Sequence, residues 1–255
     1  MHRWHASSGD LLELSEKDGV RFLHLGGEQI QSAMRLAAPD ELELAYVRAM
    51  MGFLLFLPEA SRVTMVGLGG GSLAKFIHAR LPEVSAVAVE ILPEVVAAAR
   101  CFFHLPPDDI RLQVVVAEGG EYVAAHPGSC DALLVDGFAD GAHPGSLTGA
   151  AFYEAAREAL DQRGVLAVNF IEKTRGFEPA LARMEAAFGG HVVLLPAEQA
   201  GNTIAFGLKG LPARLRWEEL RARAEFLESR LGLPCTRFLP ALRRFNPSSE
   251  RGLDV

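Results

Sequence analysis

The order of apolar and polar positions along the chain predicts strands that alternate with helices. Apolar, largely β-branched runs are typical of buried parallel strands, and they occur at residues 63–66, 84–89, 111–116, 132–135 and 164–170. Most of the intervals carry a helical pattern, at residues 72–80, 93–103, 148–160 and 177–188. Two last apolar runs, 191–195 and 203–208, flank a short turn and predict an antiparallel hairpin. The chain is therefore predicted to belong to the α/β class.

The first 58 residues have a different pattern. Short apolar runs at 11–14, 20–25 and 29–34 predict a small β-meander, and Asp18-Gly19 is a hairpin signal between the first two. Residues 41–57 predict a helix that Asp40 caps and Pro58 ends. We therefore divide the chain into residues 1–58, a meander plus helix on the substrate side, and residues 59–255, a Rossmann domain. Residues 217–231 predict a final amphipathic surface helix.

A glycine-rich turn follows the strand at residues 63–66. Gly67, Gly69 and Gly71 allow the backbone to turn tightly and to approach a ligand closely. Glu90 ends the next strand about 20 residues further on, where a carboxylate can accept hydrogen bonds from ribose hydroxyls. A dinucleotide fingerprint would place its third glycine at Ser72. The pattern thus predicts a nucleoside site and favours an adenosyl-sulfonium ligand over a dinucleotide.

Acidic residues follow three of the predicted parallel strands, namely Glu90, Glu118 and Asp136. The carboxyl ends of parallel strands lie at one edge of a sheet, and ligands bind in the crevice outside that edge. Five parallel strands plus a C-terminal β-hairpin are typical of the class I methyltransferase-like Rossmann sheet. We therefore expect the three acids and the glycine turn to face one crevice.

Composition limits the kinds of partner. The chain has 255 residues, 49% apolar and 22% charged, and a net charge of −7, which argues against a nucleic-acid surface. Cys101, Cys130 and Cys235 form no CxxC pair, so we expect a reduced, cytoplasmic protein. No apolar run is long enough for a membrane span, and no cluster has metal-ligand spacing.

These motifs resemble the spermidine synthase family of aminopropyltransferases, in a divergent bacterial branch. The similarity covers roughly residues 20–210 and is carried, in order, by the segments VGLGGGS, VEILPEVV, AEGGEY, LLVDGF and PGSLTGAAFYEAAREAL…GVLAVN. The resemblance implies decarboxylated S-adenosylmethionine as co-substrate, methylthioadenosine as product and no bound prosthetic group. It implies Glu90 on the ribose, the Glu118 segment near the adenine, and a small putrescine-like amine as acceptor.

Asp136 matches the first acid of the family's DSSDP-like motif, which assists attack of the amine on the propyl carbon. An alkyl amine is almost wholly protonated at neutral pH, so a carboxylate that takes up its proton and holds it in line suits the reaction. The resemblance further implies that Gln31, Tyr46, Arg48 and Asp140 bind the acceptor.

Three positions depart from the family pattern. Gly70 replaces the aspartate of GGGDG, the second acid of DSSDP falls on Ala139 with Asp140 one place late, and Arg48 replaces the glutamate of Tyr-x-Glu. A cation at Arg48 would repel a diammonium substrate.

These departures leave two alternatives open. One is a methyltransferase that uses S-adenosylmethionine itself, and the other is a non-catalytic module that binds a nucleoside thioether. The sequence leaves the oligomeric state open, a homodimer included.

Overall fold

A computed structural model describes residues 2–5, 12–25, 30–137, 145–172, 174–198 and 201–255. Within these ranges the N-terminal region forms an antiparallel sheet of four consecutive strands: β1 (His2–His5), β2 (Leu12–Lys17), β3 (Val20–Leu25) and β4 (Ile30–Arg35). Asp18 and Gly19 both have positive φ, 52° and 75°, as a tight hairpin turn requires. The predicted meander is confirmed, whereas β1 was not predicted.

Two short helices replace the single helix predicted for residues 41–57. The helices are α1 (Ala45–Met50) and α2 (Phe53–Phe56). The backbone tightens between them, because Gly52 N donates to Ala49 O, three residues back, at 2.9 Å. The predicted Asp40 cap is wrong, since α1 begins five residues later and Asp40 instead accepts a hydrogen bond from Arg80 Nε at 2.8 Å.

Seven strands of the described residues form the central sheet, in the spatial order β10-β11-β9-β8-β5-β6-β7. These strands are β5 (Arg62–Val66), β6 (Ser85–Glu90), β7 (Leu112–Val116), β8 (Cys130–Val135), β9 (Leu160–Ile171), β10 (Val192–Pro196) and β11 (Asn202–Lys209). The first five pair in parallel, while β11 runs antiparallel between β9 and β10. The predicted sheet of five parallel strands plus a C-terminal hairpin is confirmed.

Helices cover both faces of this sheet. They are α3 (Ser72–Arg80), α4 (Pro93–Phe102), α5 (Gly119–Ala125), α6 (Ala150–Ala159), α7 (Phe177–Ala187), α8 (Trp217–Leu231) and α9 (Cys235–Phe245). One buried cluster joins α1, α2, α3, α8 and α9 to one face, and a second joins α6 and α7 to the other. In the described part of the chain, no helix combines the length and apolarity needed to cross a membrane.

Several elements escaped sequence-based prediction. The helix α5 begins with two glycines, and α9 contains Pro240, so local propensity opposes both. The strands β12 (Arg214–Arg216) and β13 (Gly252–Asp254) are short and form a separate two-stranded sheet. Helix α6 begins at Ala150 behind Gly149, two residues after the start of the helix predicted for residues 148–160. The domain boundary near residue 58 stays a prediction.

The topology places the functional crevice. From β5 the chain adds β6 and β7 on one side and β8 and β9 on the other. Strand order therefore reverses between β5 and β8, and a crevice opens at such a switch point outside the carboxyl ends of the strands. Gly67 follows β5 and Asp136 follows β8, which brings these two residues together.

Candidate active site

The glycine turn after β5 adopts the conformation that glycine alone enters easily. Gly67, Gly69 and Gly71 have φ values of 92°, 52° and 71°. A Cβ on Gly67 would lie 2.5 Å from Asp136 O, so this position is closed to any side chain. A Cβ on Gly69 would lie 3.5 Å from Ser32 Cβ, which is an ordinary contact. Gly67 is thus required for packing, while Gly69 is required for its backbone angle and its place on the cavity wall.

A cavity of about 530 Å³ lies in front of this turn. Its described walls include most of the residues predicted from the sequence: Gln31, Tyr46, Gly67, Gly69, Glu90, Glu118 and Asp136. Gly71 lies behind the wall, where its Cβ position is 2.8 Å from Leu105 Cδ1. Asp140 falls outside the described residues. The residues that the structure brings together thus come from both the meander and the sheet.

Glu90 holds the turn as well as facing the cavity. Its Oε2 accepts a hydrogen bond from Leu68 N at 2.9 Å, and its Oε1 accepts one from Leu92 N at 3.0 Å. The residue is only 8% exposed. Each carboxylate oxygen has a second lone pair. The carboxylate is therefore fixed by the protein backbone and keeps acceptor capacity for a ligand.

Glu118 caps helix α5. Its Oε2 accepts a hydrogen bond from Glu121 N at 2.7 Å. Burial raises the pKa of Glu118, but hydrogen bonds from the Glu121 and Gly120 backbone and from the Ser146 side chain lower it more, so the net pKa is below the usual value. An ionised acid therefore borders the cavity at the start of α5, beside Ser146.

Asp136 is the most strongly perturbed acid of the site. Burial raises the pKa of its carboxyl to about 7, against hydrogen bonds from Asn169 and Tyr46 that lower it. Asn169 Nδ2 donates to Asp136 Oδ1 at 2.8 Å. The pKa of Tyr46 is raised in turn, by burial and then by the neighbouring Asp136 charge. Asp136 therefore changes protonation near neutral pH, which suits a group that takes up and releases a proton.

The acceptor-side residues divide into two groups. Tyr46 and Gln31 both line the cavity, and the Tyr46 hydroxyl oxygen lies 3.3 Å from Gln31 O. Arg48 lies outside the cavity wall and donates through Nη1 to Leu42 O at 2.7 Å and to Glu43 O at 2.8 Å. The predicted repulsion between Arg48 and a diammonium substrate is therefore corrected, because the guanidinium is turned back onto the chain before α1.

Gly70, the position without the family's acid, is also outside the wall. A Cβ there would lie 2.8 Å from both Phe103 Cδ1 and Ser32 Oγ. Phe103 is fully buried between the meander and α4. In this chain, the Phe103 ring and the Ser32 hydroxyl thus occupy the space that an aspartate side chain at position 70 would need.

Sequence reasoning missed three wall or support residues. Ile91 lines the cavity while remaining 58% exposed, and the buried Leu147 lines it as well. Both offer apolar surface to a flat ligand. Asn169 is the third, and a single amide in the otherwise apolar run VLAVNF was a signal for it.

The fold is a Rossmann-type sheet with a cavity at the carboxyl ends of its parallel strands, where proteins of this architecture bind their ligands. No family model matches the sequence. A polyamine aminopropyltransferase of Chromobacterium violaceum is 41% identical over 235 residues, which cover 92% of this chain and 90% of that protein. A polyamine aminopropyltransferase of Neisseria meningitidis serogroup A is 36% identical over 241 residues, covering 93% and 91%. A spermidine synthase crystallised with the transition state analogue AdoDATO has a TM-score of 0.67 and 22% identity, covering 91% of this chain and 88% of that one.

The chain belongs to the polyamine aminopropyltransferase family. It is a transferase that moves an aminopropyl group in polyamine biosynthesis, and the predicted resemblance is confirmed. Family membership favours this activity over the two alternatives, methyl transfer and non-catalytic binding. The structural similarity, at 22% identity, supports the fold alone.

Proposed function

We propose that this enzyme transfers the aminopropyl group of decarboxylated S-adenosylmethionine to a small, putrescine-like primary amine, with methylthioadenosine as product. The observation that carries the proposal is the position of Asp136, between the glycine turn and Tyr46, with a carboxyl pKa of about 7. Membership of the polyamine aminopropyltransferase family supports an aminopropyl donor.

The charges on the cavity wall favour a cationic donor. Glu90, Glu118 and Asp136 line the cavity, and none of the described lining residues is Lys, Arg or His. Decarboxylated S-adenosylmethionine carries a sulfonium and an ammonium, whereas the intact compound adds a carboxylate. No basic side chain of the described wall would pair with that carboxylate, so the decarboxylated donor fits the wall better.

Seven residues on the wall have a proposed task. Glu90 accepts hydrogen bonds from the ribose hydroxyls, and the Glu118 segment, with Ile91 and Leu147, borders the adenine. Gln31 and Tyr46 contact the acceptor. Asp136 takes one proton from the amine, whose lone pair attacks the propyl carbon as the carbon–sulfur bond breaks. The sulfonium leaves as a neutral thioether, so charge is conserved when the proton rests on Asp136.

Asp136→Asn tests the proposal most directly. The amide keeps the shape and can still accept a hydrogen bond from Asn169, but it takes up no proton. We expect turnover to fall by roughly 10²–10⁴ while methylthioadenosine affinity, measured by calorimetry, is unchanged. Asp108→Asn is the matched control, because Asp108 pairs with Arg100 at the surface. Full turnover in Asp136→Asn would make Asp136 a loop residue and overturn its role.

Product analysis tests the substrates separately. The wild-type protein is incubated with a panel of amines and either S-adenosylmethionine or its decarboxylated form. The products are identified by mass spectrometry. We expect aminopropyl adducts from the decarboxylated donor alone. A methylated product from the intact donor would overturn the donor assignment. A homodimer and a cytoplasmic location stay predictions.

A further inference from the structure

Three polar side chains lie in series between the C-terminal hairpin and the cavity. Asn202 Nδ2 donates to Asn169 Oδ1 at 2.9 Å, and Asn169 Nδ2 donates to Asp136 Oδ1 at 2.8 Å. Asn202 begins β11 and pairs in register with Ile171, two residues after Asn169, so both amides share one face of the sheet. Asn169 is 1% exposed. The series thus runs through the interior of the sheet.

Both hydrogen bonds require the same orientation of the Asn169 amide. A primary amide has an acceptor at one end and donors at the other, and a half-turn exchanges them. With Asn202 donating to its oxygen, Asn169 must present its NH₂ to Asp136. The flipped amide would set its oxygen against the carboxylate and its NH₂ against the NH₂ of Asn202. Two such mismatches in a buried position are costly.

We propose that Asn202 and Asn169 form a relay that positions the Asp136 carboxylate, with Asn202 acting only through Asn169. The relay rests on the proposed role of Asp136 as the proton acceptor. A donor held on Oδ1 fixes the rotation of the carboxylate and favours its ionised form over the protonated one. The hairpin thereby prepares the acid to receive a proton, although Asn202 itself does not contact Asp136 in the series.

Other charged groups around the site come from several elements. Tyr46 reaches Asp136 from α1, and Glu90 and Glu118 line the same cavity from the ends of β6 and β7. On the other face of the sheet, Glu172 accepts from Thr203 Oγ1 at 2.6 Å. The relay contributes neutral donors rather than charge. Its effect on Asp136 therefore depends on amide orientation.

A double-mutant cycle distinguishes a relay, in which Asn202 acts through Asn169, from independent effects of the two substitutions. The Asp136 carboxyl pKa is measured by ¹³C NMR in the wild type, Asn202→Ala, Asn169→Ala and the double variant. We expect each single variant to raise this pKa by about 1, and the double variant to match Asn169→Ala alone. The acidic limb of the kcat/KM profile should move to higher pH in parallel, with methylthioadenosine affinity unchanged.

Two further variants control for folding and for position. Asn202→Ser keeps a donor at the position and should hold the Asp136 pKa nearer the wild-type value than Asn202→Ala does. Thr203→Val alters the next residue on the opposite face and should leave the Asp136 pKa unchanged. A wild-type Asp136 pKa in Asn202→Ala would overturn the relay. So would a further rise on adding Asn202→Ala to Asn169→Ala.

The failure of the relay and the failure of the proposed function give different results. The NMR titration follows the carboxyl group and needs no turnover. If Asp136→Asn keeps full activity, the role of Asp136 as proton acceptor fails whatever the titrations show. If Asp136→Asn is inactive and Asn202→Ala titrates like the wild type, the relay alone fails.

Discussion

Gly67 lies so close to Asp136 that a Cβ on the glycine would be 2.5 Å from the Asp136 carbonyl oxygen. The Asp136 backbone N–H in turn donates to Val66 O at 2.8 Å. The first glycine of the nucleoside-binding turn and the proposed proton acceptor are therefore one packed unit. Any change that separates β5 from β8 at this point therefore moves the glycine turn and Asp136 relative to each other.

Gly67→Ala should consequently damage the site more than Gly69→Ala. Both residues have positive φ, which costs an alanine about 1–2 kcal/mol. At Gly67 the new methyl group clashes with the Asp136 backbone, at 2.5 Å from its carbonyl oxygen, whereas at Gly69 the nearest backbone atom, Gln31 O, is 3.8 Å away. We expect a further loss of thermal stability and a loss of turnover in Gly67→Ala, measured against Gly69→Ala. Equal activity in the two variants would show that the contact does not hold Asp136 in place.

Gly69→Val tests the ligand side of the same turn. The nearest protein atom to a Cβ at Gly69 is 3.5 Å away, and the residue lines the cavity. The branched side chain of the valine should therefore project into the cavity and abolish methylthioadenosine binding, while circular dichroism still reports the native fold. Normal binding by this variant would place the nucleoside elsewhere.

Glu90→Gln should weaken nucleoside binding. The carboxylate accepts from two backbone N–H groups, and its remaining lone pairs are proposed to accept from the ribose. A glutamine replaces one acceptor oxygen by an NH₂ group, which opposes an N–H donor of the turn. Loss of one charge-assisted bond, about 1.5–3 kcal/mol, corresponds to at least a tenfold rise in Kd for methylthioadenosine. Glu94→Gln, at an exposed position on α4, is the calorimetric control.

Asp136→Asn should also make the protein more stable above neutral pH. The folded-state pKa of about 7 lies above the unfolded value near 3.9, so the folded protein binds more protons between these pH values. Wild-type stability therefore falls as pH rises from about 4 to about 7, and stays lower above that. The asparagine variant has no carboxyl group at this position and does not lose stability in this way. We expect its free energy of unfolding at pH 8 to exceed the wild-type value by on the order of 1–3 kcal/mol. Urea denaturation at pH 5 and pH 8 measures the difference, which should shrink at the lower pH.

Arg48→Glu should act on stability rather than on amine choice. The sequence comparison alone predicts that restoring an acid beside Tyr46 improves diamine use. In the structure Arg48 holds the Leu42 and Glu43 carbonyls, and a glutamate would oppose those oxygens. We expect a loss of about 1.5–3 kcal/mol in the free energy of unfolding, with KM for a diamine within a few-fold of the wild type. A much lower KM would return Arg48 to the acceptor site.

The sequence by itself determined the features that depend on local pattern. Apolar runs separated by helical periodicity located the parallel strands and the terminal hairpin along the chain. They did so because a strand that is buried on both faces is an uninterrupted apolar run. Glycines that need positive φ marked the turn at Gly67–Gly71. Acids at strand ends marked Glu90, Glu118 and Asp136, because parallel strands align their carboxyl ends.

Only the tertiary structure decided which polar groups meet. Asn169 and Asn202 are 33 residues apart, and they meet because β9 pairs with β11. Asn169 meets Asp136 because β9 also pairs with β8. Arg48 turned away because two carbonyl groups lay within its reach, which sequence spacing does not reveal. The break between α1 and α2 falls at Gly52, where a Cβ would lie 2.7 Å from Ala49 O and 3.3 Å from Phe206 Cζ, a long-range contact that the sequence does not reveal. Side-chain direction and long-range contact depend on the packed chain, so a linear pattern left them open.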